Sequence, residues 1–416
     1  MPPPPATPRD ASSSRGGSAY RRLRQWTACC GPAFVVSVAY VDPGNFAVNT
    51  AAGASYGYLL LWVVIAANGL AVLVQYLSAK LGEASGHSLA ELCRAHCPRP
   101  VTWLLWAQAE AVAIATDLAE IIGGAVALRL LFGVPLLAGA ALTAGAALAV
   151  LVLAPWGRRS FERVVAGMLL VVLTGFLYQA LRAGTASATG AGMLPRLAGQ
   201  DSLLLATGII GATVMPHVIY LHSALTSRSA GSGSGRAPRT RLGGIALALG
   251  TAGLANAAML AVAAGALHAS PVPADTLAAV HAGLGRQIGR GAAVAFALAL
   301  LAAGLASSSV GVSAGDAIMS GFLRRRLPMA ARRLAGLLPA LALLAAGTEP
   351  TRALVLSQVV LSFGIPFALV PLVWLTASRS VMGCRANRRA TTLAASAVAA
   401  LISGFNVFLL IRPLLS

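Results

Sequence analysis

Charge is what this sequence has least of. Only 10% of its 416 residues are Asp, Glu, Lys or Arg, against about 25% in a soluble globular chain. Hydrophobic residues make up 57% and the mean hydropathy is +0.77. Soluble multi-domain architectures are thereby excluded, and the chain reads as an all-α polytopic membrane protein. Acidic residues are scarcer still, 12 against 31 Lys and Arg, for a net charge of +19. Nucleic-acid binding does not follow, because the arginines lie in short blocks between apolar runs rather than along one face or a tail. Cysteine is also sparse. Cys29, Cys30, Cys93, Cys97 and Cys384 are odd in number and carry no framework spacing, which argues for free thiols over a disulfide scaffold. The run "HSLAELCRAHC" gathers His87, Cys93, His96 and Cys97 without the paired-ligand spacing of a zinc site. No His-Glu-x-x-His run exists, and His217 and His222 are five apart, so a membrane-embedded metallohydrolase is disfavoured. The chain is read as no enzyme, with no tightly bound cofactor.

What is present is apolar length. A helix needs roughly 20 apolar residues to cross the hydrocarbon core. Runs near that length fall at 26–53, 57–79, 101–127, 134–154, 164–181, 202–226, 242–267, 291–321, 334–347, 353–377 and 391–411, which makes about eleven spans, the ninth being short. Residues 1–24 are rich in Pro, Ser and Arg and too polar to pack a core, so they read as a disordered cytoplasmic tail. With the N-terminus inside, only Arg129, Arg182, Arg196, Arg286, Arg290, Arg352 and Arg412 fall on the outer side, and the other 24 of the 31 cations face the cytoplasm. That bias predicts a cell-membrane protein with a cytoplasmic N-terminus and an external C-terminus. The segment "SRSAGSGSGRAPRTR" becomes a flexible, basic cytoplasmic linker.

Intramembrane polar groups mark function by default. Five acidic residues fall within spans: Asp42, Glu110, Asp117, Glu120 and Asp316. The first span contains "VAYVDPGNFAV", where Pro43 removes a donor and Gly44 adds flexibility, predicting a helix broken in mid-membrane. Broken backbone is tolerated there only where it is buried in protein or lines a cavity. Its freed carbonyls would then join the Asp42 carboxylate and the Asn45 amide as oxygen donors. The sixth span carries the matching irregularity, "GATVMPHVIYLHSAL", with Met215, Pro216 and His217 at its centre. Discontinuous spans in positions one and six point to a transporter built from inverted repeats. Five spans each would form a first repeat at 25–182 and a second at 202–377, with the eleventh span and C-terminus at 390–416. Oxygen donors beside a thioether suit Mn²⁺ or Fe²⁺ better than Mg²⁺ or Ca²⁺. In the third span, Glu110, Asp117 and Glu120 share about an 80° arc at roughly 100° per residue. Such a row serves equally as a proton relay or as an ion-pair network with Arg332 and Arg333. His217 and His222 fall on different faces; His217 at the break could exchange protons, and His222 is expected to bond a neighbouring span.

Taken together, "DPGN" in span one, "MPH" and "YLHS" in span six, "TDLAEIIGGA" in span three, "AGDAIMSGFL" in span eight and "RALVLSQVVLSFGIPFALVPL" in span ten resemble the natural resistance-associated macrophage protein (Nramp) family of proton-coupled divalent-metal transporters. The resemblance covers about residues 25 to 412. It implies the LeuT-type 5+5 inverted-repeat fold with broken helices 1 and 6, and alternating access. It implies metal ligation by Asp42, Asn45, Met215 and the carbonyls of Ala39 or Ala212. It also implies proton movement through Asp42, His217, Asp117 and Glu120 towards a network of Glu110, Arg332 and Arg333. Some members carry a Gln in span ten where this chain has Gly364. The expected function is import of Mn²⁺ or Fe²⁺ with protons, the metal ion being substrate, the lipid bilayer the setting, and the oligomeric state open. A sodium-coupled transporter of an organic, amino-acid-like solute on the same fold is the alternative; Asp42 at the break would repel a substrate carboxylate.

Overall fold

A computed structural model describes residues 32–152, 158–183, 192, 194–228, 238–270 and 274–411. The polar tail, Cys29 and Cys30, most of the basic linker before span seven, and residues 412–416 lie outside the described residues. Among the described residues there is no strand.

Span one is broken as its sequence predicts. Helix α1 (32–39) ends before Tyr40, and α2 (Pro43–Tyr56) begins after Asp42. Span six divides into α8 (Gln200–Thr213) and α9 (Pro216–Ser227). Both second halves start with proline at the first helical turn, where its missing N–H costs nothing and its fixed φ is already helical. The same residue type therefore ends one helix and nucleates the next.

The remaining spans are α3 (Leu61–Ser85), α5 (Arg99–Phe132), α6 (Leu136–Val152), α7 (Arg158–Ala183), α10 (Pro238–Leu267), α12 (Arg290–Leu323), α13 (Met329–Ala345), α14 (Pro350–Ala377) and α16 (Arg389–Ile411). Among the described residues, eight helical segments are long and apolar enough to cross a membrane, the α8–α9 pair being one of them. With the broken α1–α2 and the 17-residue helices α6 and α13, they account for the eleven expected spans. One boundary differs in a useful way. Span nine was expected at 334–347, but α13 starts at Met329, so Arg332 and Arg333 sit on its first turn and not in the loop before it. Their charge lowers the apolar score of that turn; partners on α5 hold it in the helix.

Two short helices escaped the apolar-run reading. Helix α4 (Leu89–His96) connects spans two and three, and α11 (Leu277–Gln287) connects spans seven and eight. A four-residue helix, α15 (Arg379–Met382), follows span ten. The α4 start is a capping box: Ser88 and Glu91 each bond the other's backbone N–H.

The packing obeys one exchange rule. Helix α2 packs on α10 and α9 packs on α3; α5 packs on α14 and α12 on α7; α5 packs on α6 and α12 on α13. Swapping each span with the one five places away turns the first member of each pair into the second. The pair α5–α12 maps onto itself and forms the centre. The connectors α4 and α11 obey the same exchange. This is the packing of two five-span repeats, with α16 added against α14. Helix α14 contains Pro366 and Pro371, and Pro366 has no N–H for the Ser362 carbonyl four residues back. Asn406 of α16 donates to that carbonyl at 2.8 Å and accepts from the Ser362 hydroxyl at 2.8 Å.

Close approach at the break depends on Gly123 of α5, where an added methyl would overlap the Pro43 ring. Gly123→Ala is therefore expected to destabilise by about 1–3 kcal/mol through overpacking. Gly250→Ala, facing open space on α10, is expected to be neutral or to stabilise by up to about 1 kcal/mol. Thermal unfolding of the two variants in the same detergent checks this; equal melting temperatures would remove the close-packing argument.

Candidate metal centre

The two breaks meet. Asp42 is the N-cap of α2, with φ −96° and ψ 169°, and its Oδ1 accepts the Asn45 N–H at 2.7 Å. The Asn45 side-chain amide donates to the same Oδ1 at 2.8 Å and to the Ala212 carbonyl at 3.2 Å. One short side chain thus ties the start of α2 to the end of α8. Helix α8 ends at Thr213, Val214 caps it, and Met215 precedes Pro216 in an extended conformation. Asp42, Asn45 and Met215 are fully buried, each 0% exposed. An unpaired carboxylate at such a position costs several kcal/mol, so the amide N–H groups around Asp42 are what permit its burial.

The carbonyls follow from the prolines. Continuing α1 would require residue 43 to donate to Ala39, and continuing α8 would require residue 216 to donate to Ala212. Both are proline and have no N–H to give. The carbonyls of Ala39 and Ala212 are therefore the two acceptors that each break releases. Ala212 meets Asn45 directly. Tyr40, next to Ala39, has its carbonyl taken by the Asn256 amide of α10 at 2.8 Å, and Asn49 donates to Asn256 at 3.3 Å.

Gln358 of α14 is the member that the acid-and-histidine reading missed. Its amide donates to Asp42 Oδ2 at 3.2 Å, while its Oε1 is buried without a partner, as is Asn45 Oδ1. A lone glutamine in an apolar helix was the available signal. An amide presents nitrogen or oxygen by a half-turn about one bond, so Asn45 and Gln358 can present oxygen beside the Asp42 carboxylate. Gly44 makes room for Gln358, since any side chain at 44 would overlap the amide. Gly364 lies beside the second break: a side chain there would meet Val112, Gln108 and Pro216.

The histidines part company as their spacing predicts. His217 faces α5, with Nδ1 at 3.3 Å from the Thr116 hydroxyl and Nε2 buried without a partner. His222 faces α3, its Nδ1 at 2.8 Å from Gln75 Oε1, and the Gln75 amide donates to the Tyr40 hydroxyl at 2.7 Å. That chain, His222–Gln75–Tyr40, latches α9, α3 and the first break together.

Of the two expected uses of the α5 carboxylates, the ion-pair network is the one the contacts display. Arg332 pairs with Glu110 at 3.0 Å and Arg333 with Asp117, both across to α13. A small cavity of ≈ 10 Å³, room for about one water, is lined by Glu110, Asp117, Gly311, Arg332 and Gly336. Glu120 has no arginine partner among the described residues; Ser307 of α12 donates to its Oε1 at 2.5 Å, and Oε2 is unpaired. Glu120 lies within electrostatic range of both Asp117 and Asp42. The row therefore runs from salt-bridged to unpaired as it nears the break.

Among the described residues no three His, Cys, Asp or Glu side chains cluster as a metal cage. His87 Nδ1 is 2.8 Å from the Ser85 carbonyl and His96 Nδ1 is 3.0 Å from that of Leu92. A cation at the breaks would thus meet one carboxylate and otherwise neutral donors: amide oxygens, freed carbonyls and the Met215 thioether.

Two broken helices meeting around a buried carboxylate, inside two exchange-related repeats, define a transporter of the LeuT-type inverted-repeat class. The chain matches the family described as "Natural resistance-associated macrophage protein-like" over residues 33–412. It is 46% identical to the divalent metal cation transporter MntH of Deinococcus radiodurans, over 98% of this chain and 96% of the relative. It is 50% identical to MntH of Mycobacterium tuberculosis, over 91% and 90%. A crystal structure of a variant of the Eremococcus coleocola manganese transporter superposes with a TM-score of 0.83 at 30% identity, covering 93% of this chain and 86% of that one. A nucleobase-cation-symport-1 family transporter shares the fold alone, with a TM-score of 0.59 at 14% identity, over 83% and 77%. The chain belongs to the Nramp family, and is a transporter rather than an enzyme.

The ion pairs across α5 and α13 generate a prediction. Arg333→Met leaves the Asp117 carboxylate buried without its salt-bridge partner, which is expected to destabilise by about 3–5 kcal/mol. Adding Asp117→Asn should recover most of that loss. Unfolding midpoints of the single and double variants check it, and additive losses would refute the pairing.

Proposed function

We propose that this chain transports divalent transition-metal ions across the cell membrane, Mn²⁺ foremost and Fe²⁺ with it, together with protons and by alternating access. The observation that carries the reading is the junction of the breaks, where the buried Asp42 carboxylate is joined through Asn45 to the Ala212 carbonyl. The relatives named as divalent metal cation transporters, and the manganese transporter of the same fold, support this cargo. Asp42, Asn45, Met215 and the carbonyls of Ala39 and Ala212 would hold the ion. Gln358 joins them, supplying from span ten the amide that Gly364 lacks. The thioether tilts the site from Mg²⁺ and Ca²⁺ towards softer ions.

Protons would pass between Asp42 and His217 at the break and the α5 row of Glu120, Asp117 and Glu110, with Arg332 and Arg333 as the fixed positive ends. The unpaired Glu120 is the α5 carboxylate nearest to Gly123, which meets Pro43 at the break, and it lies in electrostatic reach of both Asp42 and Asp117, which supports that order. The basic loops support a cytoplasmic N-terminus and an external C-terminus, and net transport would run inward. The repeats at 25–182 and 202–377 would rock against each other, and separation of the Tyr40–Gln75–His222 latch would open one side.

Uptake into proteoliposomes, with several metals and with or without a pH gradient, tests this. Asp42→Ala is expected to lower Mn²⁺ uptake at least about tenfold, as for loss of a charged interaction worth roughly 1.5–3 kcal/mol. Unchanged uptake by that variant would overturn the site. Met215→Ala should still carry Mn²⁺ but let Ca²⁺ or Mg²⁺ compete; unaltered selectivity would remove the thioether from the ligand set. Uptake indifferent to the pH gradient would remove the proton coupling.

A further inference from the structure

The tenth span ends in a cluster of cations that the metal centre does not use. Arg379, Arg385, Arg388 and Arg389 follow within twelve residues of its last turn, and residues 350–416 contain no Asp or Glu. All four arginines are exposed, and none has an ion-pair partner among the described residues. Helices α3 and α4 touch this helix, but their carboxylates are engaged. Glu83 pairs with Arg241, and Glu91 closes the Ser88 capping box. Positive charge alone is ordinary for a loop beside a span. This loop also encloses a space.

A cleft of ≈ 440 Å³ opens here, lined by Arg379, Gly383, Cys384, Ala386 and Asn387. Its size falls within the about 300–1,000 Å³ of small-ligand sites. The wall is anchored. Helix α15 follows directly on α14, the Met382 N–H donating to the Ser378 carbonyl at 3.0 Å. Gly383 then turns the chain at φ 56° and ψ −130°, a conformation that a side chain would strain. Asn387 ties the returning chain to the last turns of α14: its N–H donates to the Thr376 carbonyl at 2.9 Å and its amide to the Thr376 hydroxyl at 2.8 Å. Lys80 of α3 donates to Asn387 Oδ1 at 2.6 Å and sets a fifth cation against the wall.

An apolar track ends at the same level of the helix. Leu356, Val360, Phe367, Val370 and Trp374 of α14 are all exposed, and at roughly 100° per residue they share about an 80° arc. The Trp374 ring stands edge-on to His96 of α4, with centroids 6.5 Å apart. Tryptophan at the end of a span marks the level of the lipid headgroups. A soluble anion would need the charge alone. Charge at the end of an exposed apolar row fits a molecule that has both an anionic head and acyl chains.

We propose that this cleft binds the headgroup of an anionic phospholipid, whose acyl chains lie along the exposed face of α14. The Arg379 guanidinium takes the phosphate within the cleft, its planar fork matching two phosphate oxygens. Arg385, Arg388 and Arg389 supply the surrounding positive field. Basic pockets at the membrane edge between spans recognise lipid headgroups in this way.

The full chain in neutral detergent is titrated with phosphatidylglycerol, with phosphatidylcholine and with inorganic phosphate. Two quantities are followed: the melting temperature, and the rate at which N-ethylmaleimide labels Cys384 in the cleft relative to partly exposed Cys97. Phosphatidylglycerol is expected to raise the melting temperature, as a ligand of the folded state does. It should also slow labelling of Cys384 several-fold and leave Cys97 unchanged. Arg379→Gln and Arg388→Gln are each expected to weaken binding about fivefold, and high salt should weaken it in the unmutated chain. Arg352→Gln, exposed at the other end of α14, should bind normally. Melting in detergent alone separates lost binding from lost folding. An equal effect of phosphatidylcholine overturns headgroup recognition, and an equal effect of inorganic phosphate replaces the lipid by a soluble anion. Normal binding by Arg379→Gln, or equal weakening by Arg352→Gln, overturns the site. Protection of Cys384 that grows with protein concentration in lipid-free detergent gives the cleft to a second copy of the chain instead.

Discussion

Pro43 and Pro216 each withhold one N–H, and much of the molecule is arranged around the carbonyls this leaves, at Ala39 and Ala212. In hydrocarbon such groups cannot turn to water, so protein must surround them. At the junction Asn45 donates to the Ala212 carbonyl and to Asp42, Gln358 of α14 donates to Asp42, and glycines at 44 and 123 admit Gln358 and Pro43. The exchange-related packing of the repeats is what brings the two breaks together.

Charge is rationed along α5 in a way that composition alone does not reveal. Two of its carboxylates are held by Arg332 and Arg333, whereas Glu120, nearest the break, is held only by a serine hydroxyl. A salt-bridged carboxylate is a stable anion, and an unpaired buried one binds a proton more readily. A single helix face thereby grades from salt-bridged to unpaired carboxylates.

The helical class, the eleven spans and both breaks were legible because each rests on local chemistry: apolar length, and proline without a donor. The opposite facing of His217 and His222 was legible for the same reason, from the helical repeat angle. Gln358 was not, because an amide in an apolar helix carries no charge to draw notice, and its meeting with Asp42 joins residues 316 positions apart. The start of α13 was displaced because two arginines look like loop until α5 supplies their partners. Helices α4 and α11 were missed because hydropathy reports depth in the bilayer, and amphipathic connectors lie at its edge. Whether the α5 row relays protons or braces the fold could not be separated from its spacing, since both uses need the same arc.

The rule that proline orphans the carbonyl four residues earlier applies once more, at Pro366, and there the rescue comes from outside the repeats. Asn406 acts as a splint on the bend of α14, gripping Ser362 by both its carbonyl and its hydroxyl. One turn before Ser362, the same helix presents Gln358 to Asp42. The eleventh span, which the twofold plan does not require, therefore governs how stiffly the tenth can deliver its amide. In a carrier whose two halves are otherwise interchangeable, that fastening exists on one side only. It is a built-in source of asymmetry between the two halves.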